Sequence, residues 1–115
     1  MNIKIVENTI TMDEVRELAQ EFYRTMIKGV IDVEREIIAL GGEYHMDANT
    51  ILIENGSKQI NVWGFNIRFD KQENEMIEYT SLINIRPNQG NMAMELLDQN
   101  LRKKIKEIIN KIIIK

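Results

Sequence analysis

Gln59-Ile-Asn-Val-Trp-Gly-Phe-Asn-Ile-Arg-Phe69 and Met76-Ile-Glu-Tyr-Thr-Ser-Leu-Ile-Asn-Ile-Arg-Pro-Asn-Gln-Gly-Asn91 carry the clearest pattern in the chain. Both runs alternate apolar with polar residues, which is the period of a half-buried strand. A polar loop of hairpin length joins them, so an antiparallel hairpin over about 59–69 and 77–86 is expected inside a small sheet. Trp63, Phe65, Ile67 and Phe69 fall on one face; Val62, Gly64, Asn66 and Arg68 fall on the other. In the second run Ile77, Tyr79, Ile83 and Ile85 share a face that also holds Ser81. Pairing Phe69 with Ile77 brings Trp63 opposite Ile83 and Arg68 opposite Glu78. That register gathers the apolar side chains on one side and sets opposite charges across from each other. It leaves one greasy face to be covered and one polar face free.

Working outward, Pro87 ends the second run, and Gln89-Gly90-Asn91 reads as a loop. Met92 to Leu97 is a connector with no assignable structure. Asp98 opens a last helix, with Leu101, Ile105, Ile108, Ile109, Ile112 and Ile113 on its apolar face and Arg102, Lys103, Lys106, Glu107 and Lys111 on its wet face. Upstream, Asn2 to Val6 reads as an edge strand. Thr11, with an acid three residues on, is a capping-box start. The helix it opens runs through Val15, Leu18, Ala19, Phe22, Tyr23, Met26 and Ile27 and stops at Gly29. Val30–Val33 and Ile37–Leu40 read as a tight hairpin turning at Glu34 to Glu36, and Gly41-Gly42 breaks it. Asp47 to Asn55 is either a short helix capped by Asp47, or a strand over Thr50 to Glu54 turning at Asn55-Gly56. The spacing of Ala48, Ile51 and Leu52 favours the helix. The fold class expected is α+β: an antiparallel sheet covered on one face by an N-terminal and a C-terminal helix, in a single domain over 1–115.

At 115 residues the chain suffices for one real core. Its hydrophobic fraction of 43% and charged fraction of 29% are those of a soluble protein. There is no cysteine, so no disulfide framework, thiolate zinc site or cysteine nucleophile. No apolar run approaches membrane-spanning length, and no leader pattern is evident, so no membrane association is expected and the location expected is cytoplasmic. A net charge of -3 argues against general nucleic-acid binding. The apolar surplus in Ile112-Ile113-Ile114 and around Val30-Ile31 leads to the expectation of a homodimer.

Two constellations could carry chemistry. His45 stands two residues from Asp47; in a strand both would point the same way, as a general acid/base pair or two metal ligands require. A metal would need further carboxylates, with Asp32, Glu34 or Glu43 available. No metal or cofactor is assigned. The plainer reading, with Asp47 capping a helix and His45 making a surface hydrogen bond, is preferred. The second constellation is Asn84, Arg86, Gln89 and Asn91, where a strand runs into a loop. Arg86 could fork onto a carboxylate or phosphate while the amides fix a ligand's polar edge. Equally, the amides could tie down the loop, with Arg86 paired to a structural acid. Ser57-Lys58 cannot form a dyad in a strand, because neighbours face opposite ways. No phosphate-cradling glycine loop or nucleophile elbow is present. Three functions follow: a small-ligand binding module around His45, Asp47, Arg86, Gln89 and Asn91; a hydrolase using His45 and Asp47; or an interaction module.

Gly41-Gly-Glu-Tyr-His-Met-Asp47, Glu54-Asn-Gly-Ser-Lys-Gln59, Trp63-Gly-Phe-Asn66 and Ser81-Leu-Ile-Asn-Ile-Arg-Pro-Asn-Gln-Gly-Asn91 together resemble a family of small uncharacterised bacterial and archaeal proteins. The resemblance spans most of the chain. It implies no activity, substrate or cofactor.

Overall fold

The computed structural model describes residues 1–115. In chain order it contains β1 (Lys4–Val6), β2 (Ile10–Thr11), α1 (Met12–Ala19), β3 (Met26–Asp32), β4 (Ile37–Leu40), α2 (His45–Glu54), β5 (Val62–Arg68), β6 (Ile77–Glu78), α3 (Gln99–Ile112) and β7 (Ile113–Ile114). The main sheet is antiparallel in the order β1-β4-β3-β5-β6, so β3 is its centre, and β2 and β7 form a separate parallel pair.

Alternation along the three middle strands sorts their side chains into two cores. Ile27, Ile31, Ile38, Leu40, Trp63, Phe65 and Ile67 face α1 and α3 and pack with Val15, Ala19, Ile105, Ile108, Ile109 and Ile112. Val30, Ile37, Ala39 and Val62 face the opposite way and pack with Ala48 and Leu52 of α2. The aromatic row of β5 is inward, as its period requires, and the first and last helices cover it. The other face is not free: α2 covers the half nearest Val62. β4 is buried on both faces, which is why Ile37-Ile-Ala-Leu40 is a continuous apolar run.

Several local readings agree with the structure. Thr11 caps α1 by accepting from the Glu14 backbone N–H, and Asp98 caps α3 by accepting from Asn100 and Leu101. The tight hairpin of Val30–Val33 and Ile37–Leu40 is present; the Asp32 carboxylate turns it by accepting from the N–H groups of Glu34 and Arg35. Gly41 and Gly42 both take positive φ. The segment from Asp47 is helical, but α2 begins at His45, and Asp47 caps from inside by accepting from the Tyr44 N–H.

Three readings need correction. The first helix ends at Ala19 rather than running to Gly29, and Met26 to Lys28 belong to β3. Their helical spacing is outweighed by a ladder that pairs Met26 with Arg68, Ile27 with Ile67 and Lys28 with Asn66. Gly29 is therefore a strand residue; a Cβ there would lie 2.6 Å from Phe65 Cζ, so the missing side chain admits the Phe65 ring.

The second correction is the partner of the aromatic strand, which is β3 along its whole length. The expected strand over 77–86 is reduced to Ile77 and Glu78. Ile77 pairs with Ile67 and Glu78 with Asn66, a two-residue shift from the expected register. A shift of two preserves faces, and Arg68 still reaches Glu78 diagonally at 3.9 Å.

Beyond Glu78 the chain leaves the ladder. Ser81 packs so closely on Gly64 that a Cβ there would lie 2.6 Å from Ser81 Cβ. Thr80 instead bridges Glu95 in the connector that sequence could not assign, while residues 82–84 form a short 3-10 turn. Ile83 consequently packs into the α2-side core, not the aromatic one.

The third correction concerns the apolar surplus. Val30, Ile31 and Ile112 are interior and Ile113 pairs with Ile10, so of that surplus only Ile114 stays exposed. No helix is long and apolar enough to cross a membrane.

Candidate functional site

α2 covers the Val30–Val62 half of its sheet face and stops short of the other half. The uncovered part, around Lys28 and Asn66, is the floor of a cleft of about 520 Å³. The two residues are cross-strand partners in the β3–β5 ladder and so lie side by side on this face. One wall is the start of α2, with Tyr44, His45 and Met46. The other is Thr80 to Ile83, with Met94 beside it. The walls are largely apolar, and Tyr44, Met46, Leu82 and Met94 are exposed.

His45 enters the floor from the first position of α2. Its Nε2 donates to the Phe65 carbonyl at 2.9 Å. A carbonyl only accepts, so Nε2 carries the proton and a neutral ring keeps a lone pair on Nδ1. Burial is the largest influence on its pKa and holds it below the ordinary value of 6.5; the Phe65 hydrogen bond opposes this, the Lys28 charge adds to it, and the nearby Asn66 amide opposes it weakly.

Asn66 is 8% exposed. Its Nδ2 donates to Glu78 Oε1 and to the Thr80 carbonyl, each at 3.3 Å. This fixes which end of the amide is which; its Oδ1 is turned toward the His45 ring, close enough to favour the imidazolium weakly, but is buried with no hydrogen bond of normal geometry. A buried acceptor without a donor costs on the order of 1–3 kcal/mol. Lys28 has no carboxylate partner; its ammonium lies 4.9 Å from the centre of the Tyr23 ring and 5.6 Å from that of Tyr44.

Asp47 does not join His45. Its carboxylate is engaged by the Tyr44 N–H, and helical backbone turns the two side chains apart. The surface hydrogen bond preferred for His45 is instead a buried one. No three His, Asp or Glu side chains converge as a metal would need, and Asp32, Glu34 and Glu43 do not gather at His45.

The Asn84 to Asn91 constellation lies outside the cleft. Asn84 is 0% exposed; it accepts from the Gly64 N–H at 2.8 Å and donates to the Gly64 carbonyl at 3.0 Å. One side-chain amide thus replaces the peptide group that a continued β6 would have offered. Asn91 Nδ2 donates to the carbonyls of Asn84, Ala93 and Glu95, while its Oδ1 accepts from Leu97, so it organises the loop.

Arg86 stacks 4.0 Å from the centre of the Trp63 ring. It donates Nε to Ile83 O, Nη1 to Gln59 O and Gln89 Oε1, and Nη2 to Val62 O. No acid faces it. Gln89 donates to Ile60 O. Four of the five guanidinium N–H groups are thereby spent inside the chain. His45 acts at Phe65 and Arg86 at Val62, three residues or about 10 Å apart along β5.

Sequence reading missed Lys28 and Asn66. Each is a polar residue inside an otherwise apolar run, a real signal. Only the β3–β5 register reveals that they are neighbours.

The chain belongs to the family described as Protein of unknown function (DUF5674), which it matches over residues 4–112. No curated protein and no solved structure matches it.

Proposed function

We propose that this member of that family is a small-molecule binding protein whose ligand enters the cleft between α2 and the 80–83 segment. The observation that carries the reading is the Asn66 side-chain oxygen, buried without a donor beside His45 at the floor of a roomy, apolar-walled cleft. A ligand N–H or O–H would satisfy it, and the volume falls in the usual range for small-molecule sites of roughly 300–1,000 Å³. The neutral His45 ring adds a second acceptor, and the methionines at the rim adapt to irregular shapes. Asn84, Arg86, Gln89 and Asn91 serve the site indirectly, by holding the segment whose first residues, Thr80 to Ile83, form one wall.

The test is an amide and imidazole NMR screen of the full chain against a library of small polar aromatics. Shifts concentrated at Lys28, His45, Asn66 and Ser81, abolished by Asn66→Leu, are expected. A library that moves no resonance in the cleft up to millimolar concentration would overturn the reading.

A second reading concerns self-association. Leu82 is 71% exposed and Met92 70% exposed, with Ile60, Ile85 and Leu97 also in water. We infer that exposed apolar side chains such as these are buried in a homodimer, which light scattering would show as twice the mass of one chain; a clean monomer at 100 μM excludes it. A cysteine-free chain needs no oxidising compartment, which fits a cytoplasmic location.

A further inference from the structure

We propose that the ligand of the cleft is a small organic anion: an apolar-bodied carboxylate that also carries a hydroxyl or amino hydrogen-bond donor. The proposal rests on the cleft being a small-molecule site, and it adds the sign of the charge and the chemistry of each end.

The charge follows from the lining. The chain has 18 Asp and Glu against 15 Lys and Arg, yet no acidic residue lines the cleft and Lys28 does. Lys4 and Lys111 are paired with Glu14 and Glu36 on the open surface. Lys28 is met by two tyrosine rings. Ring faces attract the ammonium without neutralising it, so its charge remains available to an anion in the cleft. Glu78, the cross-strand partner of Asn66, is engaged by Asn66 Nδ2 and lies 3.9 Å from Arg68. His45, held neutral by burial, neither competes with Lys28 for the anion nor repels it.

The remaining chemistry follows from the floor and walls. Asn66 Oδ1 lacks a donor, which a simple carboxylate cannot supply, so the ligand brings an O–H or N–H of its own. Tyr44, Met46, Leu82 and Met94 offer apolar surface that a bare inorganic anion would leave exposed. A body with the charge at one end and a donor at the other satisfies all three features.

The test uses 4-hydroxybenzoate as probe, with 4-hydroxybenzamide as its uncharged isostere, benzoate as the version without the donor, and acetate as the charge without the body. Each is titrated into the full chain by two-dimensional NMR, in wild type, Lys28→Met and Lys28→Arg. The hydroxy acid is expected to bind about tenfold tighter than the amide, the discrimination of one charge-assisted contact. It should also bind tighter than benzoate and far tighter than acetate. Lys28→Met should erase the preference for acid over amide, and Lys28→Arg should keep it. Equal binding of acid and amide, or a preference that survives Lys28→Met, overturns the anion assignment while leaving the cleft as a site. Acetate binding as well as the aromatic acid removes the apolar body from the proposal. Absence of any shift at His45 and Asn66 with all four probes overturns the cleft reading itself.

Discussion

Replacing Asn84 tests whether a side-chain amide really substitutes for a missing strand. The amide is 0% exposed and makes reciprocal bonds of 2.8 and 3.0 Å with the backbone of Gly64, in the middle of β5. Asn84→Ala leaves the Gly64 N–H and C=O without partners. Each orphaned group costs about 1–3 kcal/mol, so a loss of roughly 2–6 kcal/mol is expected for the two, a large share of the 5–15 kcal/mol typical of a domain.

Asn84→Asp sharpens the test because it keeps the shape. At neutral pH its carboxylate can still accept from the Gly64 N–H, but it sets a negative oxygen against the Gly64 carbonyl. The folded state then favours the protonated acid, so the introduced carboxyl has a folded pKa raised above its unfolded value of about 3.9. A group raised in this way withholds nothing below the unfolded pKa and costs stability as pH climbs toward the folded one. At 1.36 kcal/mol per unit, a penalty of about 4 kcal/mol spreads over about three units, from pH ~4 to ~7. Urea unfolding of wild type and both variants, at pH 4.5, 5.5 and 7, reads this as shifts in midpoint at constant slope. A loss under 1 kcal/mol for Asn84→Ala, or a pH-independent gap for Asn84→Asp, would refute the substitution argument.

Arg86→Lys should destabilise by about 2–4 kcal/mol despite keeping the charge, because an ammonium cannot span Gln59, Val62, Ile83 and Gln89 while stacking on Trp63; Trp63 fluorescence during denaturation reads the loss. Gly29→Ala should cost about 1–3 kcal/mol by forcing Phe65 and Leu40 aside, seen as a lowered melting temperature. Acidification should weaken the protein through His45: its pKa is lowered on folding by burial, so this contribution is intact above the ordinary 6.5 and is lost as pH falls through the folded value. His45→Gln should flatten the stability profile of wild type over that window, as followed by thermal melts.

Much of the architecture was legible because local signals agreed with the global packing. The caps at Thr11 and Asp98, the turn at Glu34 to Glu36 and the paired glycines are chemical necessities of short segments. Helical spacing misled at Met26 to Lys28, where apolar residues fit both periods and a seven-pair ladder with β5 outweighed the local preference. Alternation misled between Thr80 and Arg86, where the period was real but Asn84 and Ser81 supplied contacts that ended the strand. The polar cluster at Asn84, Arg86, Gln89 and Asn91 read equally as a ligand site or as a tie for its own loop. Its amides and guanidinium bond the chain's own carbonyls, an allocation no spacing rule reveals.

The sequence alone determined the α+β class, the inward aromatic row of β5 and the two amphipathic helices above it, because these follow from periodicity within single segments. Only the tertiary structure decided that β3 is the centre of the sheet, that α2 covers half of the second face, and that Lys28 and Asn66 meet in the half left open. Their meeting depends on strand register and on how far a helix reaches across a sheet. Both are set by packing between residues distant in the chain, which the order of residues within any one segment does not encode.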